Sequence, residues 1–333
     1  MAPPSKPLII QQISQIIAFA SCFASALFAQ VDRSPHPVKF ITVDNNVKLE
    51  VLDWGGSGRP LVLLAGLGST AHVFDTFALK LTGICHVYGI TRRGYGESAV
   101  PDSGYSADRL GDDVREVLDA LKLDHPILVG HSIAGEELSS VGSRYPKRIA
   151  GLVYMDAAYG YAFYDRARGD LNIDLIDLQR KLKEFQRQQD TDTRSLIREL
   201  LDTVLPDFQR DLKNEQEFLA VLPPAMLAAG TSTPKAASNA IIAGAQKYTE
   251  IPVPVLAIFA VPHDMGAALN ADPVLRAAFD AQDEATTGAQ ARAFELGVPS
   301  AKVLRIPHAS HFIFRSNEAD VVRDIAAFVS QLP

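Results

Sequence analysis

Cysteine is scarce in this chain, with only Cys22 and Cys85 among 333 residues. Two cysteines cannot build the disulfide framework of a small secreted scaffold. A basic excess is missing as well, because 32 lysines and arginines stand against 39 aspartates and glutamates, for a formal net charge of −7. A nucleic-acid-binding surface needs such an excess, so the composition argues against nucleic acid as a partner. The sequence also lacks internal repeats and low-complexity segments.

Charged side chains are missing from residues 7–31, and Lys6 is the only charged side chain before Asp32. Within this stretch, residues 16–29 are almost wholly apolar or small. A basic start, a short apolar run and small residues at its end are typical of a secretory signal peptide. We therefore predict that residues 1–29 are a cleaved signal peptide, that the protein is secreted or periplasmic, and that it has no stable membrane insertion after cleavage. The alternative is a membrane anchor, since the uncharged run is long enough to span a bilayer.

After this segment, the hydrophobic pattern alternates between strands and helices. Strands are predicted at residues 38–43 and 47–52, which form a hairpin, and at 61–65, 85–90, 127–129, 149–155, 255–260 and 302–306. Helices are predicted at residues 71–81, at 106–121 with Ser106 as N-cap, from the turn after 129 to 145, near 272–296 and at 317–332. This alternation predicts an α/β fold with a mostly parallel central sheet and helices on both faces.

The alternation stops between residues 159 and 250, where the chain is helix-like and more polar. Residues 171–189 and 196–205 have amphipathic spacing within this region. A helical insertion between strands of one sheet predicts a cap, here residues 159–250. The core is then formed by residues 36–158 and 251–333.

A candidate nucleophile lies in the segment Gly130-His131-Ser132-Ile133-Ala134, between a predicted strand and a predicted helix. A serine at a sharp strand-to-helix turn, with small residues two positions before and after it, is typical of a nucleophile elbow. The glycine-containing stretch Gly66-Leu67-Gly68 follows an earlier strand and can present backbone N–H groups to an oxyanion. We predict Ser132 as the nucleophile, with the N–H groups of Leu67 and Ile133 as the oxyanion hole. The alternatives are a helix-capping serine and an ordinary glycine turn.

A nucleophilic serine needs an imidazole to remove its proton and a carboxylate to orient that imidazole. His311, in the loop after the last predicted strand, is the preferred base, and His308 is the alternative. Asp264 follows the predicted strand at residues 255–260 and is the preferred acid. Asp156, directly after the strand at 149–155, is the alternative acid, and Asp272 is a further choice.

Taken together, these segments resemble the α/β-hydrolase superfamily over residues 38–332. The order Ser132, Asp264, His311 is the order of that family. The segment Arg93-Gly94-Tyr95-Gly96-Glu97-Ser98 resembles its R-G-x-G-x-S motif, and Ile306-Pro307-His308-Ala309-Ser310-His311 resembles its I-P-x-A-x-H histidine loop. The resemblance implies the α/β-hydrolase fold and a Ser-His-Asp hydrolase that cleaves a carboxylic ester or a related acyl bond through an acyl-enzyme. A serine at the elbow excludes the relatives that use an aspartate nucleophile, such as haloalkane dehalogenases.

The same triad would also serve a lactonase, thioesterase, C–C hydrolase or aminopeptidase, and a noncatalytic binding protein on this scaffold is the remaining alternative. This chemistry requires no cofactor, and no residue cluster in the sequence indicates a catalytic metal. We expect a small-molecule acyl substrate with an apolar part. Four aromatic residues after the strand at 149–155 are candidates for its pocket or for core packing: Tyr159, Tyr161, Phe163 and Tyr164.

Overall fold

The computed structural model of the chain describes residues 36–187, 192–221, 236–267, 271 and 273–333. The predicted signal peptide, residues 1–29, lies outside the described residues. Residue contacts divide the described chain into two compact units, a larger one of residues 36–168 and 236–333 and a smaller one that begins at Gly169. No helix of the described ranges combines the length and the apolar composition needed to cross a membrane.

The larger unit is built on a sheet of eight strands in the order β1-β2-β4-β3-β5-β6-β7-β8. β2 runs antiparallel to β1 and β4, and every other neighbouring pair is parallel. This arrangement confirms the predicted mostly parallel α/β sheet. The strands are β1 (Val38–Val43), β2 (Val47–Gly56), β3 (Pro60–Leu64), β4 (His86–Ile90), β5 (Ile127–His131), β6 (Gly151–Met155), β7 (Val255–Ala260) and β8 (Ala301–Ile306).

Helices and short helical turns connect these strands. In chain order, the described helices are α1 (Asp75–Leu81), α2 (Ala107–Ala120), α3 (Ala134–Arg144), α4 (Leu171–Arg187), α5 (Thr193–Glu199), α6 (Leu205–Val221), α7 (Ala236–Ile242), α8 (Pro273–Asp283), α9 (Ala289–Gly297), α10 (Ile313–Ser316) and α11 (Glu318–Gln331). The predicted N-cap of α2 is present, since the Ser106 side chain accepts a hydrogen bond from the Arg109 N–H.

Two apolar clusters cover the sheet, one including Leu138, Tyr154 and Phe294 and the other including Phe77 and Ile325. Strands β5, β6 and β7 are buried at every residue. Continuous burial is expected for parallel strands that are covered on both faces, and it explains their unbroken apolar sequences. The parallel strands are therefore packed on both faces, and their carboxyl ends lie along one edge of the sheet.

The smaller unit contains α4, α5 and α6, which pack around an apolar cluster of Leu178, Leu196, Leu200 and Val204. It also holds a buried acidic pair, Asp174 and Asp211, with Arg210 between them. The smaller unit is narrower than the predicted cap. Residues 159–168 and 236–250 belong to the larger unit because their apolar side chains pack into its core, including Ala162, Phe163, Ile241 and Ala245.

Candidate active site

Ser132 lies between the end of β5 and the start of α3, with φ at 55°. This left-handed conformation is rare for a residue with a side chain and is concentrated at functional turns. A Cβ at Gly130 would lie 3.1 Å from the Ala134 Cβ and 2.9 Å from Leu138 Cδ1, so the strand and helix meet only because Gly130 has no side chain. Ala134 is fully buried in the same contact, which explains how alanine fills the second small position of the elbow.

The loop after β3 passes directly against Ser132. A Cβ at Gly66 would lie 3.1 Å from the Ser132 Cβ and 2.8 Å from His131 Nδ1. The Leu67 side chain packs on the cluster that contains Ile133. Among the described residues, neither the Leu67 N–H nor the Ile133 N–H donates to a backbone carbonyl. An oxyanion hole requires N–H groups that are not already bonded to backbone carbonyls, and these two lie on segments that meet beside the serine. Their role as the oxyanion hole remains a prediction.

Arg92 joins this loop to α3, a role that the sequence did not suggest. Its guanidinium is buried, donates to the Ala65 carbonyl at 2.8 Å and pairs with the Glu137 carboxylate of α3 through Nη2 and Oε2 at 3.0 Å. The neighbouring Arg93 of the R-G-x-G-x-S segment is also buried and binds Asp113 through two bonds of 2.6 Å. The motif is therefore structural, and Arg92 fixes the spacing between the loop and the helix.

His311 faces a carboxylate at the end of β6. Asp156 is completely buried, and its Oδ2 lies 2.6 Å from His311 Nδ1. The backbone of β7 holds the Asp156 carboxylate in place, because the Ala260 N–H donates to Oδ1 at 3.0 Å. An imidazole that donates from Nδ1 to a carboxylate keeps the Nε2 lone pair available as a base. Asp156 also has a positive φ, at 47°, so two residues of this site share the same rare conformation.

Asp264, the preferred acid in the sequence, is not the partner of His311. Its Oδ1 accepts a hydrogen bond from the Gly266 N–H at 3.0 Å, and its backbone N–H donates to the Ala309 carbonyl at 2.8 Å. The choice of Asp264 is thus corrected in favour of the alternative, Asp156. The chain leaves the sheet after Ala260 and presents the side chain before Asp264, that of His263, to Asp156. The further choice, Asp272, lies outside the described residues.

His263 is a second imidazole on the same carboxylate, and no sequence pattern pointed to it. Its Nε2 lies 2.9 Å from Asp156 Oδ2, and its Nδ1 lies 2.7 Å from Oδ2 of Asp283 at the end of α8. Burial alone would lower the pKa of His263, but the two carboxylates raise it to about 10. Burial alone would raise the pKa of Asp156, but His263 and His311 hold it well below its usual range.

Two further histidines lie near the base. His131 is buried beside Ser132, and its Nε2 lies 2.9 Å from the His311 carbonyl oxygen, which it reaches as a donor. Burial lowers the pKa of His131 to about 3, so this ring is neutral and positions the histidine loop. His308, the alternative base, is 43% exposed and faces Asp280 at 3.9 Å. The structure therefore brings His311, and not His308, to the buried carboxylate.

The four aromatic candidates separate into two groups. Phe163 and Tyr164 are core residues, since Phe163 packs on Phe294 and Tyr164 lies under Lys247. Tyr159 and Tyr161 lie at the site. The Tyr159 hydroxyl is 3.3 Å from His263 Nε2, and Tyr161 packs against the cluster that contains Ile133.

Two groups of described side chains lie close enough together to hold a cation. In both groups, however, one histidine has a carboxylate facing each of its two ring nitrogens. His72 faces Glu50 and Asp75 at 3.4 Å each, and these carboxylates raise the pKa of His72 to about 10. An imidazolium has no lone pair to offer a metal, so the donor sets fit ion pairs better than metal ligation. The groups are His36, His72 and Asp75, and Asp156, His263 and His311.

The sheet order, the serine at the strand-to-helix turn and the histidine paired with a buried acid are features of one known fold family. The chain belongs to the alpha/beta hydrolase family, whose pattern its residues 61–325 match. Among curated proteins it is similar to 2-(acetamidomethylene)succinate hydrolase of Mesorhizobium japonicum, with 30% identity over 101 residues, which are 30% of this chain and 36% of that protein. It is also similar to a non-heme chloroperoxidase of Streptomyces lividans, with 30% identity over 122 residues, which are 35% of this chain and 44% of that protein.

The matched stretch thus spans less than half the length of these curated relatives. Among solved structures, a thermophilic esterase from Thermogutta terrifontis superposes with a TM-score of 0.54 at 17% identity, and the match covers 90% of this chain and 99% of that one. A likeness at this identity shows the fold alone.

Proposed function

We propose that the protein is a serine hydrolase that cleaves a carboxylic ester or a related acyl bond of a small molecule. Ser132 is the nucleophile, His311 the general base and acid, and Asp156 the carboxylate that orients His311. The observation that carries this proposal is the 2.6 Å contact between His311 Nδ1 and the fully buried Asp156, in a loop that also contacts the elbow residue His131.

The proposed reaction gives each of these groups a role. His311 Nε2 takes the proton from Ser132 Oγ as that oxygen attacks the carbonyl carbon of the substrate. The carbonyl oxygen becomes an oxyanion, which the N–H groups of Leu67 and Ile133 bind. The Asp156 carboxylate stabilises the imidazolium, which then gives its proton to the leaving alcohol. Water, activated by His311, attacks the acyl-enzyme, and the carboxylic acid leaves as Ser132 regains its proton.

An apolar cluster beside the elbow supports a substrate with an apolar part. Ile133 is buried together with Tyr95, Tyr105, Leu110 and Ile241, and the side chains of Leu67 and Tyr161 pack against them. Both proposed oxyanion residues therefore pack in the same apolar cluster. The names of the two curated relatives describe different reactions, so the bond type is argued from the site and from the triad chemistry rather than from likeness.

The nucleophile is tested by labelling with a fluorophosphonate probe. We expect native protein to label, Ser132→Ala to lose the label and Ser103→Ala, a control at an exposed serine, to label as native protein does. Equal labelling of Ser132→Ala would refute the nucleophile. Turnover of p-nitrophenyl esters of increasing chain length then tests the bond. A protein that labels but hydrolyses none of these esters, and instead cleaves a lactone, thioester or amide, would refute the ester assignment while keeping the triad.

We also propose that residues 1–29 direct export of the protein. The support is the uncharged, apolar and small-residue composition of this segment after Lys6. Expression of the full chain should yield an exported product whose mass lacks the segment, and deletion of residues 2–29 should leave the product in the cytoplasm. An exported or membrane-bound product that keeps the full mass would instead favour the anchor.

A further inference from the structure

We propose that His263 is a permanently protonated second imidazole of the active site, held between Asp156 and Asp283, whose positive charge keeps the base His311 neutral at lower pH. It acts on the substrate only through Asp156 and His311 and is therefore a positioning residue. This inference rests on the proposed function and deepens it.

The protonation state of His263 follows from its partners. Nε2 faces Asp156 Oδ2 at 2.9 Å, and Nδ1 faces Asp283 Oδ2 at 2.7 Å. An ionised carboxylate oxygen only accepts hydrogen bonds, so both ring nitrogens must donate, and the ring is an imidazolium. The His263 side chain is only 12% exposed, and the two carboxylates are 0% and 7% exposed, so water does not screen these pairs strongly.

Asp283 is itself held in place for this contact. Its Oδ1 accepts a hydrogen bond from the Thr287 hydroxyl at 2.6 Å, and its Oδ2 accepts a second bond from the His263 backbone N–H at 2.7 Å. With the His263 Nδ1–H, three donors therefore converge on the Asp283 carboxylate. The end of α8 thus holds the Asp283 carboxylate against the far side of the His263 ring.

The two imidazoles share one oxygen, since Asp156 Oδ2 accepts from both His263 and His311. Asp156, Asp283 and His263 together carry one net negative charge, and the cluster becomes neutral when His311 takes the serine proton. Without His263, Asp156 and Asp283 would carry a net charge of −2 in the state with neutral His311, and they would attract a proton to His311 more strongly. The cation therefore lets His311 remain a free base at lower pH while Asp156 still orients it.

Other groups face this cluster from the surrounding elements. The Tyr159 hydroxyl lies 3.3 Å from His263 Nε2, and burial, with the nearby Asp156, raises the pKa of Tyr159 well above its usual range, so the phenol stays neutral. The ring of His131 from β5 lies 4.7 Å from that of His311 and is neutral as well. Arg315 is the other nearby cation, and its guanidinium lies over the Phe312 ring. Among the described residues, His263 is thus the one cation besides protonated His311 that contacts Asp156.

The pH profile of kcat/KM for an activated ester tests the inference, because its acid limb reports the base of the free enzyme. In His263→Gln we expect the acid limb to move to higher pH by about one unit, since a positive charge near His311 is lost. Asp283→Asn instead removes a negative charge and leaves His263 paired with Asp156, so its limb should move the opposite way, to lower pH. His86→Gln is the matched control, because it removes a histidine paired with Asp53 at the opposite end of the parallel strands, and its limb should not move.

Nitrogen NMR of histidine-labelled native protein tests the charge without any turnover. The His263 ring, recognised by the shift of its signals in Asp283→Asn, should show two protonated nitrogens from about pH 6 to about pH 9. A neutral His263 ring at about pH 8, or a folded His263→Gln whose acid limb is unchanged or moves to lower pH, would overturn the inference. Because the NMR signature does not depend on hydrolysis, a protein without esterase activity would refute the proposed function separately.

Discussion

Replacing Asp156 by asparagine removes one charge from the candidate active site and changes its shape little. The asparagine side chain would still fit the buried space, but its amide has one oxygen and one NH2 group in place of two acceptors. Three N–H donors converge on the present carboxylate, from His263, His311 and the backbone of Ala260. The amide cannot accept from all of them, so at least one buried donor loses its partner, or His311 changes tautomer.

The magnitude follows from the charges. During attack, His311 becomes an imidazolium beside Asp156, and two unit charges about 4 Å apart attract by about 4 kcal/mol at an effective dielectric constant of about 20. Losing this stabilisation lowers the rate by about 10³-fold. The wrong tautomer adds to this loss, and the same exchange in Ser-His-Asp enzymes costs about 10⁴-fold. We therefore expect kcat/KM of Asp156→Asn to fall by about 10³-fold to 10⁴-fold.

Asp264→Asn is the control, because Asp264 is the acid that the sequence analysis predicts and it directly follows His263 in the chain. Its turnover of a p-nitrophenyl ester should stay within about threefold of the native value, since the carboxylate that contacts His311 is that of Asp156, while Asp264 accepts the Gly266 N–H. Thermal unfolding of both variants checks that they fold. If Asp264→Asn loses about 10³-fold while a folded Asp156→Asn keeps its activity, the assignment of Asp156 as triad acid is wrong.

Three further predictions concern stability and reactivity. In urea unfolding, Glu137→Gln should lose about 3–5 kcal/mol of stability because it leaves the buried Arg92 guanidinium without its carboxylate partner. Glu136→Gln should change stability by less than about 1 kcal/mol, because burial raises the pKa of the Glu136 carboxyl well above its usual range and so favours the protonated form that glutamine resembles. Equal losses in the two variants would contradict this difference. Burial and the neighbouring Asp174 raise the pKa of Asp211 from 3.8 to about 7, so the folded smaller unit binds a proton at Asp211 more tightly than the unfolded chain does. The stability of this unit, measured as protection of its backbone amides from hydrogen exchange, should therefore fall as pH rises from about 4 to about 7. In Asp211→Asn this fall should disappear. Burial raises the pKa of the Cys85 thiol to about 11, so a disulfide reagent should modify it only after unfolding, and rapid modification of native protein would refute its burial.

The sheet and two of the three proposed catalytic residues could be predicted from the sequence because their signals are local. Apolar runs mark β5, β6 and β7, and the small residues around Ser132 mark the elbow. His311 follows the last strand in a recognisable loop. The acid could not be chosen in this way, since Asp156 and Asp264 both follow a strand. Their difference lies in side-chain direction, which depends on the left-handed backbone at Asp156 and on how far the chain runs beyond β7.

The residues that the sequence did not reveal act through partners that are distant along the chain. Arg92 pairs with Glu137, His131 reaches the His311 carbonyl, and His263 meets carboxylates from two different elements. Each pair is separated by 20 or more residues, up to 180. Such pairs have no periodicity, and an arginine or histidine at these positions looks like any other polar residue until the strands are aligned.

The left-handed backbone at Ser132 and Asp156 has a consequence for how this protein can be improved. Each such residue costs about 1–3 kcal/mol relative to a relaxed conformation, and the rest of the fold supplies that energy. A glycine at either position would release the cost and would also remove the proposed nucleophile or the proposed acid. Selection for thermal stability alone would therefore favour variants that lack these two side chains. A screen for more stable variants must measure catalytic activity and thermal stability together.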